Sequence, residues 1–281
     1  MSAEERNRLQ GIALTLRRDI IEMTAAAQSG HPGGSLSAAD IVTCLYFSIL
    51  RHRPQDPHWP DRDRFVLSKG HAAPVLYAAL AEAGYFPREQ LQTLRRLHSP
   101  LQGHPDMRKL PGVEASTGSL GQGLSIGNGM ALAGKLDGRD YRVYVLMGDG
   151  EIQEGMVWEA AMTSVHRHLD NLTAFVDYNQ LQIDGRVTDI KSLTHVGRRF
   201  AAFGWHVLEI DGHDLDAIHA AVQDAQRTKG RPTLIVAHTI KGKGVPFMED
   251  QVEWHGTAPK PDQAKEALAQ LGAGGKEAAQ A

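Results

Sequence analysis

The run RVYVLMGDGEIQEG, Arg142 to Gly155, is apolar and strand-like until it reaches Gly148-Asp149-Gly150. Glycines just past a buried strand let the backbone turn sharply and approach a bulky ligand. The aspartate between them offers hard oxygen to a cation such as Mg²⁺. An Asp-Gly pair alone is ordinary turn chemistry, so its meaning depends on what meets it. Twenty-eight residues separate Gly150 from Asn179, room for one crossover helix and the next strand. If those strands are neighbours, Asp149, the Asn179 amide oxygen and a nearby backbone carbonyl form an incomplete oxygen shell. Mg²⁺ completes such shells with phosphate and water. Gly150 also precedes a helix whose free N–H groups favour an anion. Together these features read as a cradle for Mg²⁺ and a diphosphate.

Of the 14 histidines, four sit beside glycine or proline in predicted loops, where a site can be built: His31, His71, His104 and His255. Imidazole titrates near neutral pH and suits proton transfer. His52, His58, His98, His166, His168, His195, His206, His213, His219 and His238 read as surface or structural residues. Lys69 and Lys241 each precede a glycine, as solvated loop lysines commonly do. Leu120 and Ile183 fit a core and a ligand contact equally well. Glu154, just after a predicted helix start, can simply complement the helix dipole.

The elements that must position these residues follow from periodicity. Leu9, Ile12, Leu16, Ile20 and Met23 recur at helical spacing within 8–27, and Ser37 with Asp40 predicts a second helix start running to about Leu50. A short strand at 65–67 and a helix over 72–83 follow; 99–119 reads as irregular, and 121–136 as helix despite its glycines. Strands at 143–147, 172–176, 206–210 and 233–236 alternate with helices over 154–166, 193–203 and 215–227. Continuous apolar strands alternating with amphipathic helices predict an α/β fold, a parallel sheet with helices on both faces. Ligands of such sheets bind beyond the carboxyl ends of the strands, where GDG, DYNQLQIDG and HTIKGKG all fall. The pattern assigns 1–260 to one domain and 261–281 to a low-complexity tail, a short helix and then disorder. No internal repeat is evident.

Charge is nearly balanced, 30 basic against 33 acidic residues, which argues against nucleic-acid binding. No apolar run approaches the roughly 18–20 residues that span a bilayer, and the first residues lack a secretory signal. The single cysteine, Cys44, lies in an apolar run and reads as a small core residue. A reducing, cytoplasmic setting is expected.

Five ordered stretches carry a resemblance: SGHPGGSLS at 29–37, DRFVLSKGHAAPVLYA at 63–78, TGSLGQGLSIGNGMA at 117–131, GDGEIQEGMVWEA at 148–160, and KGKGVPFMED with EWHG between 241 and 256. The chain resembles transketolase through these motifs, and it covers only that family's amino-terminal domain. The resemblance implies thiamine diphosphate and Mg²⁺ as cofactors, with Asp149, Asn179 and the Leu181 carbonyl as metal ligands. Gly148 and Gly150 would lie against the cofactor, the Gly150 N–H meeting its diphosphate, and Leu120 and Ile183 would pack on its rings. Lys69, His71, Lys241 and His255 would stand near the diphosphate and the substrate entrance. His31 and His104 would bond the hydroxyls of a ketose donor. Glu154 would join an acidic cluster linking two cofactor sites, with Glu159 a further candidate.

The implied reaction moves a two-carbon ketol unit from a ketose phosphate to an aldose. Carbon–carbon cleavage beside a carbonyl leaves a carbanion that needs an electron sink, which a thiazolium supplies. Specialised branched or sulfonated sugars are alternative donors. The α chain of a 2-oxo acid dehydrogenase shares the GDG…N spacing, but a four-histidine set suits a hydroxyl-rich substrate better. Gly121-Gln-Gly123 with Gly127 and Gly129 suggests a dinucleotide fingerprint, yet the preceding VEASTGSL is not an apolar strand. A non-catalytic scaffold would not be expected to keep all four histidines. The pyrimidine-binding domain and its activating glutamate are missing, so the expectation is a complete amino-terminal subunit that works with a separate carboxy-terminal chain, as an α2β2 assembly.

Overall fold

The computed structural model describes residues 1–278, with side chains described through residue 272. Helix α1 (Ala3–Ala27) starts on Ser2, whose hydroxyl accepts from the Glu5 N–H at 3.1 Å, and leads into α2 (Pro32–Ser37) and α3 (Ala39–Cys44). Strand β1 (Arg64–Leu67) precedes α4 (Ala73–Glu82), and a long irregular stretch leads to α5 (Gln122–Leu136). Then follow β2 (Val143–Gly148), α6 (Gly155–His166) and β3 (Leu172–Tyr178). A hairpin of β4 (Leu181–Gln182) and β5 (Gly185–Arg186) precedes α7 (Val187–Lys191) and α8 (Val196–Phe203). The chain continues through β6 (His206–Asp211), α9 (Leu215–Arg227), β7 (Thr233–His238) and α10 (Pro261–Ala278). No described helix is long and apolar enough to cross a membrane.

The sheet has five strands in the order β1-β2-β3-β7-β6, every pair parallel. Because side chains alternate along a strand, successive residues feed two separate cores. Phe65, Leu67, Tyr144, Leu146, Phe175 and Ile235 pack on one face with α1, α3, α4, α9 and α10. Val66, Val145, Met147, Ala174, Val176 and Val236 pack on the other with α5, α6 and α8. Strands buried on both sides must be apolar throughout, which is why they read as continuous runs.

Three expectations need correction. The helix expected from Ser37 to about Leu50 is present as α3 and a wider helical turn that continues it over Leu45–Ile49, but a separate short helix, α2, precedes it from Pro32, because proline at the first helical position is already set for helix. Ser37 and Asp40 form no capping box: the Ser37 hydroxyl donates to Gly34 O and Asp177, and Asp40 pairs with Arg17. The helix expected over 193–203 starts at Val196. After Pro261 the helix is docked, with Ala264, Ala267 and Leu271 buried in the core against α1 and its neighbours. The disorder expected at the extreme end concerns residues 279–281, which lie outside the described residues.

Candidate active site

Strands β2 and β3 are neighbours, in register from Val143 opposite Leu172 to Gly148 opposite Asp177. This pairing brings Asp149 and Asn179 to one sheet edge. Asp149 is 2 % exposed, and its carboxylate accepts the backbone N–H of Gly150 at 2.8 Å and that of Gln180. Asn179 turns its amide oxygen to the Leu181 N–H at 3.1 Å and its amide N–H toward Asp177 at 3.2 Å. The Leu181 carbonyl accepts from the Lys241 ammonium at 3.0 Å. Carboxylate, amide oxygen and carbonyl thus gather where β2 and β3 end.

Electrostatics single out Asp149. Burial, and then the charge of Asp177, push its pKa up to about 7, against the pull of the two backbone donors. Asp177 differs: burial would raise it too, but the Lys69 ammonium and the hydroxyls of Ser37 and Thr239 bring it below the ordinary carboxylate range. Asp149 therefore has no salt bridge of its own among the described residues, and its charged form is costly where it stands. A bound cation would relieve that cost. No cluster of three His, Cys, Asp or Glu side chains capable of holding a metal occurs among the described residues. A cation here would rest on one carboxylate and neutral oxygens, the sparse protein shell Mg²⁺ tolerates beside phosphate.

The four loop histidines converge. Ring centroids lie 5.3 Å apart for His31 and His71, 5.6 Å for His31 and His255, 5.1 Å for His71 and His255, and 6.4 Å for His31 and His104. His31 precedes α2, His71 sits in a short turn after β1, His255 ends another, and His104 comes from the irregular stretch. Burial, with Arg95 second, lowers His31 to about 4; burial and Lys241 lower His255 to about 3. His71 falls well below its ordinary value through burial and Lys69, and His104 falls through burial and Arg95. All four are neutral imidazoles at pH 7, able to accept as well as donate.

The lysines are not solvated. Lys69 is 1 % exposed and gives its ammonium to Asp177 and, at 2.7 Å, to Gly34 O. Lys241 is 2 % exposed, reaches His255 Nδ1 at 2.8 Å, and drops to about 8 through burial and then the charge of Lys69. Leu120 and Ile183 are exposed apolar residues, 37 % and 63 %, so neither belongs to the core. Glu154 is exposed at the start of α6, its Cβ against Gly121. Glu159 lines a groove between α5 and α6, with none of the four histidines in its lining.

Two carboxylates escaped the sequence reading. Asp177 joins Ser37, Lys69, Asn179 and Thr239, so four segments meet on one side chain. Glu151, 2 % exposed, accepts from Ser68, from the Gly121 N–H and from the Gly148 N–H, the last two at 3.0 Å, and ties the GDG turn to the start of α5. Both lie within two residues of the motif residues, but only the fold reveals what they hold.

Residues 9–279 match the family model "Transketolase, thiamine diphosphate binding domain". The chain belongs to the transketolase family, as that domain. It is 46 % identical to the 6-deoxy-6-sulfo-D-fructose transketolase subunit SqwG of Clostridium sp. (strain MSTE9), over 96 % of this chain and 98 % of that one. It is 44 % identical to an apulose-4-phosphate transketolase subunit of Phocaeicola vulgatus, covering 91 % and 90 %. Against the transketolase of Homo sapiens the identity is 46 %, over 88 % of this chain but 39 % of that one. The solved transketolase of Pichia stipitis in complex with sedoheptulose-7-phosphate superposes with a TM-score of 0.91 at 36 % identity, over 95 % and 41 %. The chain thus spans about two-fifths of the longer transketolases and nearly all of the two subunits. These relatives are transketolases, and the 2-oxo acid dehydrogenase alternative is not favoured.

Proposed function

We propose that this chain is the diphosphate-binding subunit of a two-chain transketolase, transferring a two-carbon ketol unit from a ketose to an aldose with thiamine diphosphate and Mg²⁺. The observation that carries this reading is a cluster of four imidazoles joined, through Lys241, to an oxygen set built on the buried Asp149, which has no salt bridge among the described residues. In it, Asp149, Asn179 and the Leu181 carbonyl hold Mg²⁺, and the Gly150 N–H with Lys241 meets the diphosphate. Bound there, thiamine diphosphate supplies the electron sink for the carbanion. His31 and His104 accept or donate protons at the donor's hydroxyls, while His71 and His255 stand between substrate and diphosphate. Exposed Leu120 and Ile183 offer apolar surface to the cofactor's rings.

The two relatives whose own lengths this chain nearly spans are named for a sulfonated sugar and for apulose 4-phosphate, which supports a specialised ketose as donor in place of the default pentose phosphate. Their designation as subunits supports a separate partner chain, which we read as a carboxy-terminal subunit in an α2β2 assembly, in a cytoplasmic setting. The test is ketol transfer by the assembled enzyme across ketose phosphate and sulfonated ketose donors. His31→Ala and His104→Ala should lower turnover by roughly 10²–10⁴, the usual worth of a positioned proton-transfer group, while cofactor affinity changes little. His71→Ala and His255→Ala should weaken cofactor binding as well. One shared profile for all four variants would contradict this division of roles.

A further inference from the structure

The segment bearing Lys241 is held at points on either side of it. Ile240 donates its backbone N–H to His213 Nε2 at 2.9 Å, and the Lys243 carbonyl accepts from Arg17 Nε at 3.2 Å. Both anchors run to one carboxylate. His213 Nδ1 lies 2.7 Å from Asp40 Oδ2, and Arg17 pairs with both Asp40 oxygens, at 3.0 and 2.6 Å. A backbone N–H can only donate, so Nε2 carries the lone pair and Nδ1 carries the proton given to Asp40. The partners thereby set the tautomer of His213. Arg17 on α1 and Asp40 on α3 are 8 % and 6 % exposed. Burial would raise Asp40, but Arg17 and then His213 hold it at about 2, so its charge persists.

Between the anchors the backbone has little freedom. Gly242 has φ +81° with the Met248 carbonyl where a Cβ would stand, so only glycine fits. Its N–H reaches Gly33 O at 3.0 Å, and the Asp250 N–H reaches Lys241 O at 3.0 Å. From this backbone the Lys241 ammonium reaches between the Leu181 carbonyl at 3.0 Å and His255 Nδ1 at 2.8 Å.

We infer that Arg17, Asp40 and His213 form a positioning triad, which sets the backbone around Lys241 and hence the placement of its ammonium against Leu181 and His255. The consequence for cofactor binding rests on the proposed function; the brace itself does not. A purely structural role would have His213 merely serve Asp40, and two substitutions separate the alternatives. His213→Asn keeps an amide donor near the position of Nδ1 for Asp40 and leaves the Ile240 N–H without an acceptor. His213→Gln carries an amide oxygen out toward the position of Nε2 and withdraws the donor from Asp40.

The test titrates thiamine diphosphate at saturating Mg²⁺ into the assembled enzyme and follows hydrogen exchange over residues 239–244 in the cofactor-free full chain. His213→Ala and His213→Asn should weaken binding roughly tenfold, the scale of one buried backbone donor left unpaired, and speed exchange at Ile240. His213→Gln should recover most of both. Recovery by asparagine and not by glutamine would overturn the triad's role, as would unchanged exchange and affinity in all three variants. If His213→Ala fails to fold, the asparagine–glutamine pair still decides. If the unaltered enzyme does not bind thiamine diphosphate, the proposed function fails, while the exchange measurement still judges the brace.

Discussion

Asp149 and Asp177 stand near one another at the ends of adjacent strands, yet only Asp177 has a cation of its own, Lys69. The unpaired member is the one proposed above to hold the metal. Asp149→Ala should abolish Mg²⁺-dependent binding of thiamine diphosphate, because it removes the only charge in a sparse shell; titration at limiting Mg²⁺ by circular dichroism measures it, and unchanged affinity would refute the ligand set. The histidines make a second prediction, on pH. His31 and His255 titrate at about 4 and about 3 in the folded chain, against about 6.5 when unfolded. Between those values the unfolded chain binds more protons, so the stability these groups contribute is present above about 6.5 and lost as pH falls toward 4 and then 3. Thermal midpoints of the cofactor-free chain should show this loss, and His255→Gln should fall less steeply with acidification. The comparison with that variant isolates the imidazole from Asp149 and Asp19, raised to about 7 and about 6, which titrate in the opposite sense over the same range.

At the scale of elements, α5 explains the glycines that looked out of place in a helix. A Cβ on Gly123 would meet Ser68, one on Gly127 would lie 2.5 Å from Val145 Cγ2, and one on Gly134 would lie 2.8 Å from the Tyr141 ring. The spacing places glycines on the buried side, so α5 lies close against β1 and β2. They are packing residues, not a dinucleotide fingerprint. Gly127→Ala should destabilise the chain by about 1–3 kcal/mol, the usual cost of overpacking a core. Chemical denaturation of variant and parent checks this; equal midpoints would mean that the helix lifts from the sheet at no cost. Gly129, with nothing within 4 Å, is the control.

For the whole molecule, the decisive matter is what a domain spanning about two-fifths of the longer transketolases can do. The metal and histidine groups proposed above all come from this chain, whereas the resemblance puts the activating glutamate in another domain. The chain by itself should therefore show no ketol transfer even with excess thiamine diphosphate and Mg²⁺. Addition of its carboxy-terminal partner should produce activity, with two copies of each subunit by light scattering. Beyond the two residues proposed to meet the cofactor, the apolar residues Met156, Met162 and Ile190 are exposed in this chain, surface that such a partner would cover. Full activity without any partner would overturn the two-chain reading.

Local pattern alone determined the parallel α/β architecture, the strand ends where chemistry gathers, and the spacing that unites Asp149 with Asn179. It could do so because apolar runs, turn glycines and crossover lengths are properties of consecutive residues. The cap expected for the second helix is absent because a serine–aspartate signal caps a helix only if no neighbour claims the side chains, and here Asp177 and Arg17 do. Lys69 and Lys241 read as solvated for the same reason: a lysine beside glycine looks exposed until partners from distant segments surround it. His213, surface or structural by its local sequence, finds Asp40 173 residues away. Only tertiary packing decides which buried charge is paired and which is not, since that depends on what long-range burial brings within a few ångströms. Here that choice left Lys69 with Asp177 and Asp149 without a cation.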